Sequence, residues 1–241
     1  MWLYPAGPVF LKEMFFLKEF FKKYAHALPV IIYMAIYLIW FFLLENHVTT
    51  YKIIHTSVDD KIPFIEFFVI PYYMWFVYVV ACVAIAFFTD REEYFRSLVF
   101  LMTGMTVFLI ISTIWPNGHN LRPLIMPRDN LCSRMVTRLY STDTPTNLWP
   151  SIHVYNSLGA HLCITHCKFS RDKKVITVPS LIICVSIILS TMFIKQHSLF
   201  DVFTAFLMAL LMTIIVYRKE IRMRIERAGE RIRSGQRFVF K

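Results

Sequence analysis

This sequence predicts an all-α polytopic membrane protein, with six transmembrane helices in one bundle and an outer cap between the third and the fourth. Three observations predict it. The chain is 57% hydrophobic and only 17% charged, with a mean hydropathy of +0.53, a composition that excludes an ordinary soluble domain. Six apolar runs approach the length needed to cross a bilayer, at about residues 28–44, 64–88, 97–115, 152–167, 175–193 and 199–217. One long non-apolar segment, 116–151, separates the third run from the fourth. We divide the chain into an interfacial N-terminal helix (1–27), a six-span membrane domain (28–217) and a basic cytoplasmic tail (218–241).

The N-terminal segment places Phe10, Met14, Leu17, Phe21 and Tyr24 at helical spacing, with Lys12, Glu19 and Lys23 on the other side. That pattern predicts a helix lying on the inner membrane surface. The second run holds Pro71, an expected kink. In the 116–151 segment, Asp129 is the expected cap of a short helix over about 130–140. A loop of that length is improbable unless it folds and does work. The fourth run is the weakest, being short and carrying Asn156, Ser157 and His161. Its Gly159 and Ala160 predict close packing inside the bundle. We expect His161 to be a hydrogen-bonded interior residue, and His47 and His55 to be solvated.

The net charge of +10 does not point to nucleic acid, because its distribution accounts for it. With the N-terminus inside, nineteen Lys/Arg fall in inner segments and seven in outer ones. This asymmetry predicts that both termini are cytoplasmic, and the basic tail is then expected along anionic inner-leaflet lipid. The five cysteines include no C-x-x-C pair and four lie within apolar runs, so neither a disulfide framework nor a metal site is expected.

The chemistry is expected at the outer face. His197 and Asp201 are four residues apart around the start of the sixth run, a spacing that puts carboxylate and imidazole on one face. A carboxylate in that place fixes the imidazole tautomer and raises its basicity. Ser151 and His153 open the fourth run, which starts on the same side. Two helix starts bring unpaired N–H groups and partial positive charge. Arg122 and Lys195 approach from the loops. Cations, two imidazoles and two helix starts converging on one face suit a phosphate group. No Asp, Glu, Lys or Arg sits near the middle of any run, which argues against a transporter or a proton pump.

At these residues the chain resembles the type 2 phosphatidic acid phosphatase (PAP2) superfamily. That family has three motifs in order: Lys, six residues, Arg-Pro; then Pro-Ser-Gly-His; then Ser-Arg, five residues, His, three residues, Asp. Arg122-Pro123 resembles the end of the first, Pro150-Ser151-Ile152-His153 the second, and Ser190, His197 and Asp201 the third. Trp115, Ile152 and Thr191 depart from the motif Lys, Gly and Arg. Lys195 and Arg128 are the candidates to replace the missing cations. The bulky third residue of P-S-x-H also resembles the inositol phosphorylceramide synthase branch.

The resemblance implies an integral membrane lipid phosphate phosphatase working through a phosphohistidine, or alternatively a lipid head-group phosphotransferase. His197 would be the nucleophile, Asp201 its orienting carboxylate, and His153 the acid and then the base. Arg122, Ser151 and Lys195 would grip the phosphate. It implies no metal and no cofactor. The expected partners are a lipid phosphate substrate and the membrane, not nucleic acid. The expected location is the plasma membrane, with the site facing outward.

Overall fold

A computed structural model of the chain describes residues 24–47 and 50–223, with Glu19 and Glu226 besides. The predicted interfacial helix and most of the basic tail lie outside these residues. The chain divides into two units, Met1–Phe42 and Leu43–Lys241. The first contains a turn of 3-10 helix, Ala25–Ala27. It also contains most of α1, Leu28–His47, which is apolar around its circumference.

The second unit is built on five further helices and a short sixth. These are α2 (Val69–Thr89, entered through a 3-10 turn at Glu66–Phe68), α3 (Arg91–Ile114), α4 (Leu131–Thr142), α5 (Ile152–His166), α6 (Lys174–Phe193) and α7 (Leu199–Val216). Among the described residues five helices are long and apolar enough to cross a membrane: Ala25–His47, Glu66–Thr89, Arg91–Ile114, Lys174–Phe193 and Leu199–Val216. The fourth predicted span, α5, is not one of them. Its 15 residues rise only about 22 Å, against a hydrocarbon core of roughly 30 Å. Instead α5 is enclosed, packing against α2, α3, α6 and α7.

Small residues make that enclosure possible. A Cβ on Gly104 of α3 would meet the Tyr155 ring of α5 at 2.0 Å, and one on Gly159 of α5 would meet Phe100 at 2.7 Å. The Tyr155 and Phe100 rings stack at 4.6 Å, and the Tyr155 hydroxyl donates to the Phe100 carbonyl at 2.8 Å. Around them Tyr78, Leu101, Val154, Ile164, Ile187, Val202 and Ala205 form the main core. His161 is indeed hydrogen-bonded in the interior, its Nδ1 standing 3.0 Å from the Ser180 hydroxyl.

Helix ends follow local chemistry. Asp90 caps α3 through the Glu93 N–H, and α3 stops at Trp115, ahead of Pro116, because a residue before proline is pushed out of the helical region. Pro71 falls in the first turn of α2, where no helical bond is lost, so the expected kink there has no cause. Proline inside a helix is found instead at Pro179 of α6. The cap of α4 is Asn130, which accepts from the Ser133 N–H at 2.9 Å. Asp129, the predicted cap, pairs with Arg134 instead. The buried side of α4 includes Cys132, Val136 and Leu139, packed against Val69, Tyr72 and Ile194. All five cysteines are free and buried.

The rest of the 116–151 segment is tied down by backbone and side-chain hydrogen bonds. Strand β1 (Lys52–Ile53) pairs in parallel with β2 (Asn117–Gly118). The side chain of Asn117 accepts from the Leu148 and Trp149 N–H groups at 2.9 and 2.8 Å. Glu45 accepts from Asn147 at 3.2 Å and from the Thr144 hydroxyl. His55 is partnered rather than merely solvated, lying 2.9 Å from Asp60.

Candidate active site

The starts of α5 and α7 meet. Ser151, the N-cap of α5, lends its side chain to the Val154 N–H, and its own N–H points at the Asp201 carbonyl at 3.4 Å. At α7, Ser198 and Asp201 form a reciprocal capping box. The turn before α7 is tight because the N–H groups of Gln196 and His197 both donate to the Thr191 carbonyl, at 2.9 and 3.0 Å. These elements carry His153, His197 and Asp201 to one place.

His197 Nδ1 lies 3.4 Å from Asp201 Oδ2, and His197 Nε2 lies 3.4 Å from His153 Nδ1. Asp201 Oδ2 also accepts from the Ser198 N–H at 2.9 Å, while its Oδ1 is buried without a protein partner. An ionised Asp201 places the His197 proton on Nδ1 and leaves the Nε2 lone pair facing His153. Burial, followed by the positive field of Arg122, pushes the His197 pKa down to about 3. A neutral imidazole with an oriented lone pair is a nucleophile at ordinary pH.

Arg122 is brought beside this group, but most of its fork is occupied. Nη1 donates to the carbonyls of Asp143 and Tyr140 at 2.8 and 3.4 Å, and Nη2 donates to the Thr144 carbonyl at 3.2 Å and to Gln196 Oε1 at 2.5 Å. Its carbon centre lies 4.4 Å from the centroid of the Tyr140 ring. The Nε–H is buried and has no protein partner. One donor and one positive charge therefore remain for an incoming anion.

Gln196, Asp143 and Tyr72 complete a network that the sequence reading did not single out. The Gln196 amide donates to Asp143 Oδ2 at 3.0 Å and faces the Tyr72 hydroxyl at 3.4 Å, and that hydroxyl donates to Asp143 at 3.3 Å. Burial, then the field of Glu45, raises the Asp143 pKa to about 6 against the pull of Arg122. His119 is also spent: Nε2–H donates to the Gln196 carbonyl at 2.9 Å and Nδ1 accepts from the Leu121 N–H at 3.2 Å. Burial pushes its pKa down to about 4. No spacing rule marks Asp143 or Tyr72, and only the neighbourhood of His197 could have drawn attention to Gln196.

The remaining expected phosphate contacts are placed differently. Lys195 has a positive φ of 53°, and its ammonium donates to the carbonyls of Asp59 and Ile62 at 2.7 and 2.6 Å. With His55, Asp59, Asp60, Asn120 and Leu121 it lines a cavity of about 560 Å³. Arg128 pairs with the fully buried Glu66 at 3.1 Å and is not joined to the imidazole pair. The start of α7 is already filled by a carboxylate. Asp59 accepts from the Leu199 N–H and the Ser198 hydroxyl, both at 2.7 Å, and from Thr56 at 2.7 and 2.9 Å. The expected anion site at that helix start is thus Asp59's own.

The two motif positions without cations are structural. Trp115 packs edge-on against Trp149 at 5.3 Å, and the Thr191 hydroxyl donates to the Ile188 carbonyl at 2.7 Å. Among the described residues, no three His, Cys, Asp or Glu side chains group as metal ligands.

Residues 122–223 match the family model of the PAP2 superfamily, a stretch that holds Arg122, Ser151, His153, Lys195, His197 and Asp201. No curated protein and no solved structure matches the chain.

Proposed function

We propose, from the match of residues 122–223 to the model of the PAP2 superfamily, whose members are generally phosphatase-like enzymes, that the chain is an integral membrane lipid phosphate phosphatase. The substrate is a phosphomonoester or diphosphate of a lipid. The observation that carries the reading is the line Asp201–His197–His153, with both contacts at 3.4 Å.

In the first step the His197 Nε2 lone pair forms a P–N bond as the bond from phosphorus to the leaving oxygen breaks. An imidazolium at His153 gives its proton to that oxygen. In the second step neutral His153 takes a proton from water, whose oxygen attacks phosphorus and breaks the P–N bond. Asp201 holds the Nδ1–H of His197 throughout. The Arg122 Nε–H and the Ser151 hydroxyl face the non-bridging oxygens, where charge accumulates. Lys195 assists through its positive charge and the one N–H it has left, while its two carbonyl contacts set the turn that carries His197. The site lies on the outer face of a plasma membrane, beneath the 116–151 cap, with both termini cytoplasmic.

A second reading, transfer of a phosphoryl-bearing head group to an alcohol, is favoured by Ile152 in place of the motif Gly. The polar cavity beside Lys195 would give an acceptor room. The test is phosphate release from a panel of lipid phosphates by detergent-solubilised protein, with EDTA present. We expect His197→Ala to lower release by at least about 10³-fold. Release that survives this change would remove His197 as nucleophile. Product appearing only when a phospholipid donor and an alcohol are both supplied would establish the second reading.

A further inference from the structure

Two rings of α2 enclose the imidazole of His153. Tyr72 and Trp75 are three residues apart and so share a helix face. The Tyr72 ring stacks on His153 with centroids 4.6 Å apart and planes at 30°. The Trp75 ring lies 4.5 Å away at 49°. Tyr72 is 2% exposed, and its hydroxyl is held between Asp143 and Gln196. The edge of His153 that carries Nδ1 faces His197.

Among the described residues, no carboxylate contacts His153 directly. Asp201 stands behind His197, Asp143 stands behind the Tyr72 hydroxyl, and Arg122 and His119 are each bonded to Gln196. The proposed reaction asks His153 to carry a proton, yet burial removes the water that would stabilise a cation there. What packs against the ring are two aromatic groups. The face of an aromatic ring attracts a cation placed within about 6 Å of its centroid, indole most strongly.

We propose that Tyr72 and Trp75 are positioning residues that keep the proton on His153 by presenting their ring faces to the imidazolium. The use made of that proton rests on the phosphohistidine reading; the slot's hold on it does not. A chain of connection follows. Gln196 touches the phosphate-facing Arg122 on one side and the Tyr72 hydroxyl on the other, so the anion-binding group and the acid are set by one network.

The test reads His153 directly. In ¹⁵N-histidine-labelled protein in detergent, its resonance is assigned by its loss in His153→Gln and followed through a pH titration. In Trp75→Leu we expect His153 to release its proton about one pH unit lower, a tenfold weaker hold, with Trp75→Phe between the two. Biosynthetic replacement of tryptophan by fluorinated tryptophans keeps the ring's shape and thins the charge on its face. It covers the case in which Trp75→Leu does not fold, and we expect a stepwise shift with each added fluorine. A His153 titration indifferent to both leucine and fluorine would overturn the proposal and leave the slot as packing. The alkaline limb of phosphate release should move with the titration. A titration that responds in a protein whose phosphate release does not need His197 would keep the slot and sink the phosphatase reading.

Discussion

His197 and His119 are both imidazoles that burial holds neutral, and that has a sign. Their folded pKa values, about 3 and about 4, lie below the unfolded value near 6.5. The stability that goes with them is fully present above about pH 6.5 and is lost as pH falls toward 4 and then 3. Asp143 acts the other way. Its folded pKa of about 6 exceeds the ordinary carboxylate value of 3.8, so its contribution is present below 3.8 and is lost as pH rises through 6. Between pH 6 and 4 each imidazole adds a loss on acidification of at most about 1.4 kcal/mol per pH unit, and Asp143 subtracts a like amount. We expect the dependence of the thermal midpoint on pH in detergent to lose the imidazole's share in His119→Gln and to lose the opposing share in Asp143→Asn; a His119→Gln slope equal to that of the unaltered protein would show that His119 is not held neutral.

At the scale of elements, the turn from α6 into α7 depends on Asp59, a residue 139 positions away from Ser198 in sequence. Burial works against its charge, but hydrogen bonds from Leu199, Ser198 and Thr56 outweigh that and hold its carboxyl below the usual range. Asp59→Ala strands these buried donors at a cost of about 1–3 kcal/mol. It should lower both the melting temperature and kcat, because His197 rides on the same turn. Gly104→Ala probes packing alone: its Cβ meets the Tyr155 ring at 2.0 Å, and Tyr155 is fully buried with its hydroxyl fixed. Overpacking of that kind costs about 1–3 kcal/mol. An unchanged melting temperature for Gly104→Ala would contradict the close approach of α3 and α5.

The same elements mark what the sequence could and could not reveal. Periodicity and helix spacing were enough for His197–Asp201 and for the burial of α5, since Gly159 and Ala160 signal close approach. Sequence spacing cannot reach across 139 positions, so the helix start at Leu199 read as an open anion site while Asp59 fills it. It likewise offered Lys195 and Arg128 as candidates to replace the motif's missing cations; the first is bound to two carbonyls and the second to Glu66. Charge was visible in the letters, but its partners were set by loops whose course depends on the packed bundle.

At the scale of the whole molecule, one end of the bundle gathers the imidazoles, the 116–151 segment and the Lys195 turn. The other gathers Asp90 with Lys168 and Arg96 with Glu92, Glu93 and Glu220. From the excess of Lys/Arg we propose that the second end is cytoplasmic. Single cysteines test this, because the native ones are all buried. In a cysteine-free background, a membrane-impermeant maleimide added to intact cells should label Leu124→Cys, at a fully exposed position, and spare Asp172→Cys at the opposite end until the cells are opened. The reverse pattern would put the site on the inner face.

The shortness of α5 reaches beyond the finished protein into its biogenesis. A stretch of 15 residues bearing Asn156, Ser157 and His161 is a poor candidate to leave the translocon for lipid by itself. Its stable place exists only once α6 and α7 have been synthesised to surround it. His153 waits on that event, and His197 and Asp201 arrive only with the turn and first residues of α7. The imidazole pair is therefore assembled no earlier than the insertion of α7, and on the proposed reading a nascent chain halted before α7 would carry no chemistry to turn on the lipids around it.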